Sequence, residues 1–163
     1  MNKFMQMAIE EAREGIRNGH GGPFGAVITK DGKVIAKGHN HVVVNNDPTC
    51  HGEIDAIRKA CKELGTFDLS GCELYTSAEP CPMCMCAIAW ANISKVYYGC
   101  TIEDNEMIGF RDKEFLEGLE TIRERICEEV DRDSCIELFN ETVIKSVTCI
   151  ILLYSSLTKN NEG

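Results

Sequence analysis

The sequence predicts an α/β fold, in which helices pack on the faces of a mixed β-sheet. Its first residues, 2–18, carry apolar side chains at the spacing of an amphipathic helix. Two β-rich runs then flank an Asp-Gly pair, and helices alternate with strands from residue 51 to residue 99. This order of elements is typical of α/β domains. With 163 residues, 44% of them hydrophobic and 26% charged, the chain is long enough for one domain with a sizeable core.

The first predicted helix ends at the glycines of "GHGG" (19–22), since glycine adopts the left-handed conformations of a helix end. The following stretch, "PFGAVITKDGKVIAKGHN" (23–40), predicts a β-hairpin centred on its Asp-Gly pair. After the loop "NNDP", residues 51–64 are predicted to form a helix that stops at Gly65.

The second half of the chain continues the alternation. We expect a strand at 72–77, a helix at 82–91, a strand at 95–99 and highly charged helical structure over 112–142. No repeat or linker interrupts this order, so residues 1–145 are predicted to form one domain and residues 146–163 a C-terminal tail. The apolar, β-branched run at 147–154 is too short to cross a membrane. It predicts a last strand or a segment in contact with a partner subunit, and the end of the tail is expected to be disordered.

The charge of the chain argues against nucleic-acid binding. The net charge is −9, and residues 103–133 hold twelve acidic and five basic side chains. Nucleic-acid binding depends on Lys and Arg contacts to phosphates, so a small neutral substrate is favoured over RNA or DNA. The acidic N-terminal helix is unlike a signal peptide, and no run reaches the roughly 18 apolar residues of a membrane span, so we expect a cytoplasmic protein.

Ten cysteines are present, and in a reducing cytosol most are expected to be free, buried, small hydrophobic residues. Cys81 and Cys84, in "EPCPMC", are exceptions. Pro82 fits the first position of a helix, which makes Cys81 the cap residue and places Cys84 in the first turn. Both sulfurs then lie near the positive end of the helix dipole, which favours thiolates. Taken alone, C-x-x-C is also typical of thiol-redox pairs and structural zinc sites.

His51 and Glu53, in "CHGE", favour a catalytic metal. One imidazole and two thiolates give the three protein ligands of a catalytic zinc site, whereas a structural site is closed by a fourth. Zinc lowers the pKa of a bound water towards 7, and a carboxylate beside it can move that water's proton to a substrate. H-x-E…P-C-x-x-C is the signature of the zinc nucleobase deaminases.

Residues 20–112 resemble the cytidine-deaminase superfamily and, within it, the bacterial guanine deaminases. The stretches "GGPFGAVI", "NDPTCHGE", "YTSAEPCPMC" and "IGFRD" follow that family's order and spacing. The resemblance implies a cytidine-deaminase-like fold, a three-layer α/β/α sandwich with a mixed five-stranded sheet. It also implies a homodimer and hydrolytic deamination of a free purine, in which guanine gives xanthine and ammonia.

The resemblance also implies roles for single residues. One Zn²⁺ per chain would be held by His51, Cys81 and Cys84, and Glu53 would carry protons. Asn40 matches an asparagine that hydrogen-bonds the base, and Asp112 an aspartate that helps protonate the departing amine. Two aromatic residues, Phe24 and Trp90, would border a flat purine.

Several of these residues have structural alternatives. An asparagine after a strand, such as Asn40, often satisfies the hydrogen bonds of a loop. Asp112 is also a suitable helix cap, and Trp90 on an apolar helix suits a core position. Cys86 points to a different helix face from Cys84 and is predicted to pack in the core, as is Cys50. The histidines at 20, 39 and 41 show no metal-like pairing in the sequence and are expected at the surface or in turns.

The chain departs from the family's pattern at two places. Gly52 replaces the usual alanine between histidine and glutamate, which removes a methyl group near the pocket floor. The family's C-terminal aromatic residue, which closes the site, has no clear equivalent, since nine residues follow Tyr154.

Competing functions remain open at this point. They are deamination of guanosine, cytosine or the adenosine of a tRNA anticodon, a non-catalytic zinc module, and a thiol-redox protein.

Overall fold

A computed structural model describes residues 2–144 of the chain. Its helices are α1 Lys3–Arg17, α2 Val42–Asn45, α3 Gly52–Leu64, α4 Pro82–Trp90, α5 Ile102–Met107, α6 Asp112–Ile126 and α7 Arg132–Ile144. Its strands are β1 Gly25–Lys30, β2 Lys33–His39, β3 Cys72–Ala78 and β4 Lys95–Cys100. The predicted elements agree with these bounds to within one or two residues. The short helices α2 and α5 were not predicted, and the charged region after residue 112 forms two helices.

Local signals explain where these elements begin and end. Asn2 caps α1, because its side-chain oxygen accepts hydrogen bonds from the backbone N–H groups of Phe4 and Met5. Asp31 and Gly32 both have positive φ, 50° and 71°, as a tight hairpin turn between β1 and β2 requires.

The strands form a mixed sheet in the order β2-β1-β3-β4. β1 pairs antiparallel with β2 and with β3, whereas β3 and β4 are parallel. The prediction of a mixed sheet is therefore confirmed. The residues described here form four strands and not the predicted five. The candidate for the fifth strand, residues 147–154, lies outside the described residues.

Helices cover both faces of the sheet. On one face, Val27 of β1 and Tyr75 of β3 pack with Phe4 and Ala8 of α1. On the other face, alternate residues of the same strands form a larger core with α3, α4 and the loop between β3 and its preceding helix. The fully buried members of this core are Ala26, Ile28, Ala56, Ala60, Leu69, Cys72 and Leu74. The helices and the sheet thus form three layers in this part of the chain.

A close approach of backbones fixes α1 against the sheet. A Cβ atom added at Gly25 would lie 2.2 Å from the carbonyl oxygen of Ala8 and 2.5 Å from the backbone nitrogen of Ala12. Only glycine therefore permits this distance between α1 and β1. Gly25 directly follows Phe24, so the contact also positions the segment that enters the candidate site.

The chain divides into two compact units between Leu119 and Glu120. The first contains the sheet and helices α1 to α5. The second contains the end of α6 and α7, whose side chains are exposed up to residue 140. A single domain over residues 1–145 stays a prediction. No helix among residues 2–144 has the length and apolar character needed to cross a membrane.

The cysteines among residues 2–144 are free thiols, as predicted. Their expected burial is confirmed for Cys50 and Cys72. It is wrong for four exposed cysteines, which are Cys86, Cys100, Cys127 and Cys135. Cys86 lies on α4, which is apolar on every face, so packing one face against the sheet leaves apolar side chains on the opposite face.

Candidate functional site

Three potential metal ligands meet where α3 and α4 begin. His51 precedes α3 and Cys81 precedes α4, both with extended backbone, while Pro82 occupies the first position of α4. Cys84 lies in the first turn of the same helix. The sulfur atoms of Cys81 and Cys84 lie 3.6 Å and 3.5 Å from Nδ1 of His51. The structure therefore brings together the three side chains that were predicted to hold a metal.

These separations fit a tetrahedral zinc ion. Zn–S bonds of about 2.3 Å and Zn–N bonds of about 2.05 Å, at an angle of about 109°, place sulfur and nitrogen about 3.6 Å apart. The three ligand atoms lie within 4.8 Å of one another. One imidazole and two thiolates are soft and borderline ligands that suit zinc, and three protein ligands are typical of a catalytic site.

The two cysteines share a proton. A hydrogen bond from the Cys84 thiol, helped by one from His51 and opposed by burial, lowers the pKa of Cys81 to about 4. The same hydrogen bond, burial and the charge of Glu53 raise the pKa of Cys84. A cation that binds both sulfurs as thiolates displaces the proton between them.

Glu53 is buried beside these ligands, in the first turn of α3, with only 5% of its surface exposed. Burial is the largest cause that raises the pKa of this carboxyl, the negative Cys81 adds to it, and His51 opposes it. A carboxyl with a raised pKa exchanges its proton closer to neutral pH, as a proton shuttle needs.

A cavity of about 510 Å³ opens beside the ligands, a volume that suits a small molecule. Residues from five separate segments of the first compact unit line it. Among the predicted site residues, the lining includes Phe24, Asn40, His51, Glu53, Cys81 and Asp112.

Asn40 follows β2 and is almost fully buried, with 3% of its surface exposed. Its side-chain oxygen accepts hydrogen bonds from the backbone N–H groups of Gly22, at 3.3 Å, and Val42, at 3.1 Å. A Cβ atom added at Gly21 would lie only 2.0 Å from that oxygen. The turn before β1 thus fixes the amide, and its NH₂ group is the part that can donate to a ligand.

The aromatic side chains of Phe24 and Phe110 form one wall of the cavity. Their ring centroids are 4.7 Å apart in an edge-to-face arrangement. Gly52 packs behind this wall, since an added Cβ atom would lie 3.0 Å from the carbonyl oxygen of Phe24. The space of the missing methyl group is therefore taken up by backbone.

Trp90 lies apart from this cavity. It is the last residue of α4, is 66% exposed and does not belong to the cavity lining. Among the described residues, Trp90 thus lies neither at this cavity nor in the core, the two positions considered for it.

Asp112 begins α6 and faces the cavity, where Asn105 donates a hydrogen bond from Nδ2 to Oδ2 of Asp112 at 3.2 Å. Burial is the largest cause that raises the pKa of Asp112, and the negative Cys81 contributes. Asn105 itself is buried.

Sequence reasoning missed several residues of this cavity. They come from α5, from α6 and from the segment between these helices, and they include Asn105, Phe110, Arg111 and Phe115. The stretch "IGFRD" was recognised, but only its aspartate was assigned a role. The burial of an asparagine depends on a partner elsewhere in the chain, so the sequence around it does not predict that burial.

The prediction of a surface or turn position is wrong for His39, whereas His20 and His41 are partly exposed and lie outside the helices and strands. His39 is buried, and ring nitrogens of the three histidines lie within 4.8 Å of one another. Positions 20 and 39 are far apart in sequence, and only the approach of the turn after α1 to the end of β2 joins them.

The cytidine and deoxycytidylate deaminase zinc-binding region matches residues 1–100 of the chain. The chain is 54% identical over 109 residues to guanine deaminase of Bacillus subtilis, which covers 67% of this chain and 70% of that protein. The crystal structure of that enzyme superposes with a TM-score of 0.69 at 51% identity, over 72% of this chain and 76% of that chain.

Two further relatives are similar over shorter parts of their length. The tRNA-specific adenosine deaminase of Aquifex aeolicus is 44% identical over 58% of this chain and 62% of its own. A protein solved in complex with 2,6-diaminopurine is 38% identical, with a TM-score of 0.64, over 67% of this chain and 61% of its own.

The match covers more than half of the chain and includes all three clustered zinc ligands. The protein belongs to the zinc-dependent cytidine and deoxycytidylate deaminase family.

Proposed function

We propose that this protein is a guanine deaminase, which hydrolyses guanine to xanthine and ammonia with one zinc ion per chain. The observation that carries the proposal is the convergence of a zinc-ligand set, a buried carboxyl and a fixed amide on one small cavity. The similarity to the guanine deaminase of Bacillus subtilis supports the choice of substrate.

His51, Cys81 and Cys84 would hold the zinc ion, and the distances between their ligand atoms fit it. When bound, zinc supplies Lewis acidity that makes water a nucleophile near neutral pH. All other tasks belong to groups of the chain itself.

Glu53 carries the protons. It takes a proton from the attacking water as the oxygen adds to C2 of guanine, and passes it to the adjacent ring nitrogen. It then moves the second proton of that water to the amino group, so that the C–N bond breaks and ammonia leaves. The raised pKa of the buried carboxyl suits a group that must be both base and acid in one turnover.

Asn40 and Phe24 orient the base. The oxygen of Asn40 is occupied by two backbone donors, so its NH₂ group is directed to an acceptor on the purine. The ring of Phe24, braced by Phe110, gives a flat apolar surface on which a planar base can lie. Fixing the base in this way holds C2 against the nucleophile.

Asp112 assists the departure of the amine. Asn105 fixes the direction of its carboxylate, and the raised pKa of Asp112 makes proton exchange easier near neutral pH. The two residues lie seven positions apart, in the segment that closes the cavity.

A screen for ammonia release tests the substrate. We expect zinc-loaded protein to release ammonia from guanine, with the matching change in its ultraviolet spectrum, and to be much slower on guanosine, cytosine, adenine and adenosine. Deamination of adenosine in tRNA, or of cytosine, without turnover of guanine would overturn the assignment while leaving a zinc deaminase in place.

We also propose that the protein is a homodimer. The outer face of α4 exposes apolar side chains, among them Met85 and Cys86, and the neighbouring strand β4 exposes Tyr98. Contact between apolar faces of two copies would remove this surface from water. Light scattering at micromolar concentration should give twice the 18.1 kDa mass of the chain. A monomer would contradict the proposal.

The remaining sequence-based expectations extend this proposal. We propose that the run at 147–154 completes a five-stranded sheet or contacts the second subunit, and that residues 1–145 act as one zinc domain. A cytoplasmic location and a closing role for Tyr154 stay predictions, and Tyr154 lies outside the described residues.

A further inference from the structure

We propose that His20, His39 and His41 form a second site for a divalent transition-metal ion of the zinc class, separate from the His51 centre. The proposal goes beyond the deaminase function and does not depend on it. Imidazole nitrogen suits Zn²⁺, Co²⁺, Ni²⁺ and Cu²⁺, whereas Mg²⁺ and Ca²⁺ prefer oxygen ligands.

The spacing of the ring nitrogens supports the site. All three histidines offer ligand atoms that lie within 4.8 Å of one another. Nδ1 of His20 lies 2.8 Å from Nε2 of His39. Two nitrogens on one ion, each bound at about 2.05 Å, lie about 2.9 to 3.3 Å apart, so the separation of these two nitrogens is close to the one that an ion requires.

The hydrogen bonds of the other ring nitrogens support the same ligand set. Nδ1 of His39 lies 3.4 Å from a carboxylate oxygen of Glu11, and Nδ1 of His41 lies 2.8 Å from the carbonyl oxygen of His39. Metal-binding histidines almost always donate their second N–H to a carboxylate or a backbone carbonyl. With Nδ1 of both residues directed at these acceptors, His39 and His41 would bind an ion through Nε2, and His39 would give up its contact with Nδ1 of His20.

The surroundings suit a cation. Carboxylates of Glu11 and Asp55 lie 3.4 Å from His39 and 3.6 Å from His41, respectively. Gly15 of α1 leaves space for the ring of His39, since a Cβ atom added at Gly15 would lie 2.8 Å from that ring. The two carboxylates, each of which also pairs with a lysine, place negative charge beside the cluster.

The rings must turn when the ion binds. His39 and His41 are stacked, with centroids 4.1 Å apart and planes 21° from parallel, and an ion lies in the plane of each ring that binds it. His20 and His41 are partly exposed, so their rings can rotate about χ2, which is a broad torsion for histidine. The three rings thus lie close together, but their planes must rotate before an ion can bind.

An ion at this cluster would stabilise the setting of Asn40. His39 and His41 flank Asn40, and His20 lies in the turn that contains Gly22, which donates to the Asn40 side chain. The carbonyl oxygen of His20 also accepts hydrogen bonds from the N–H groups of Val43 and Val44 at the start of α2. Joining the three rings therefore ties together the segments that fix the amide in the cavity.

Metal stoichiometry tests the proposal. The full chain, without an added histidine tag, is first loaded with one equivalent of Zn²⁺ and then titrated with Co²⁺. We expect a second equivalent to bind and to give cobalt ligand-field bands without a thiolate charge-transfer band, because the second site offers nitrogen ligands only.

Matched variants locate the second ion. His20→Gln, His41→Gln and the double variant should bind a single metal equivalent. When Co²⁺ is added to metal-free samples of these variants, each should still give the thiolate charge-transfer band of cobalt at the His51 centre. That band shows that each variant is folded. Glu11→Gln should weaken the second site by about 10- to 100-fold, as loss of an outer carboxylate does elsewhere.

Two outcomes would overturn the proposal. One is saturation of the wild-type chain at one metal equivalent. The other is a second equivalent that binds equally well to the double variant, which would mark an adventitious surface site. Neither outcome bears on guanine turnover, so the two proposals fail independently.

Discussion

At the residue scale, the chemistry of the site depends on the burial of one carboxyl. Glu53→Gln keeps the size of the side chain and its place in α3 but removes the ability to carry a proton. We expect kcat for guanine to fall by about 10²- to 10⁴-fold, the usual contribution of a positioned acid–base group. The zinc content should not change, because Glu53 is not among the clustered metal ligands.

Stopped ammonia-release assays and metal analysis of the same samples measure both quantities. Glu103→Gln, on the exposed side of α5, is a matched control that should retain full activity. A Glu53→Gln enzyme with wild-type kcat would contradict the role given to this residue.

The thiol of Cys81 gives a second prediction at this scale. Its folded-state pKa, lowered to about 4 chiefly by the Cys84 hydrogen bond, keeps it a thiolate above that pH in metal-free protein. Thiolates and not thiols react with alkylating agents. After removal of zinc, Cys81 should therefore be alkylated at about pH 6, where an ordinary thiol with a pKa near 8.5 is almost unreactive.

Peptide mapping by mass spectrometry measures this labelling, and Cys86, exposed on the same helix, is the internal comparison. Zinc should protect Cys81. Faster labelling of Cys86 than of Cys81 at this pH would contradict the lowered pKa.

The sequence predicted some of these residues and not others for a physical reason. His51, Cys81 and Cys84 were predictable because their residue types and spacing match the signature of the zinc nucleobase deaminases. Asn105 depends on a contact with Asp112 across a turn, and His20 depends on a contact with His39 between distant segments. Such contacts arise from the packing of elements, so sequence spacing alone does not reveal them.

At the scale of elements, the contact between α1 and β1 decides the geometry of one side of the sheet. Gly25→Ala would place a methyl group 2.2 Å from the Ala8 carbonyl oxygen in rigid helical backbone. Forcing the two elements apart should lower the free energy of unfolding by about 1–3 kcal/mol, as overpacking of a well-packed core does.

Urea denaturation followed by circular dichroism measures this change. Gly65→Ala is a useful comparison, because its Cβ atom meets nothing and only the left-handed φ of 65° opposes the substitution. Equal stability of Gly25→Ala and wild type would show that α1 moves freely on β1.

The elements themselves were largely predictable, since Asp31-Gly32, Gly65 and Pro82 each determine a local backbone conformation. The number of strands and the exposure of α4 were not. Both depend on how surfaces are covered, and an apolar helix such as α4 has the same sequence pattern whether its outer face meets a core or a second subunit.

At the scale of the whole molecule, the proposed zinc ligands lie at the starts of two helices on one face of the sheet. Because the ion binds the folded chain far better than the unfolded one, its removal should lower the melting temperature, and added Zn²⁺ should restore it. Differential scanning calorimetry of chelator-treated and reloaded protein measures the shift. Cys84→Ser should reduce the response to zinc, whereas Cys72→Ser, away from the ligands, should keep it.

The position of the ligands along the chain bears on how the protein acquires its structure. His51 is 30 residues from Cys81 and 33 from Cys84. Closing a loop of this length costs little more entropy than closing one half as long. An ion can therefore link these residues in a collapsed chain before β1 and β3 pair. We expect the native signal to appear faster when Zn²⁺ is present from the start of renaturation. When Zn²⁺ is added only after the native signal has appeared, the renaturation rate should equal that of a zinc-free sample.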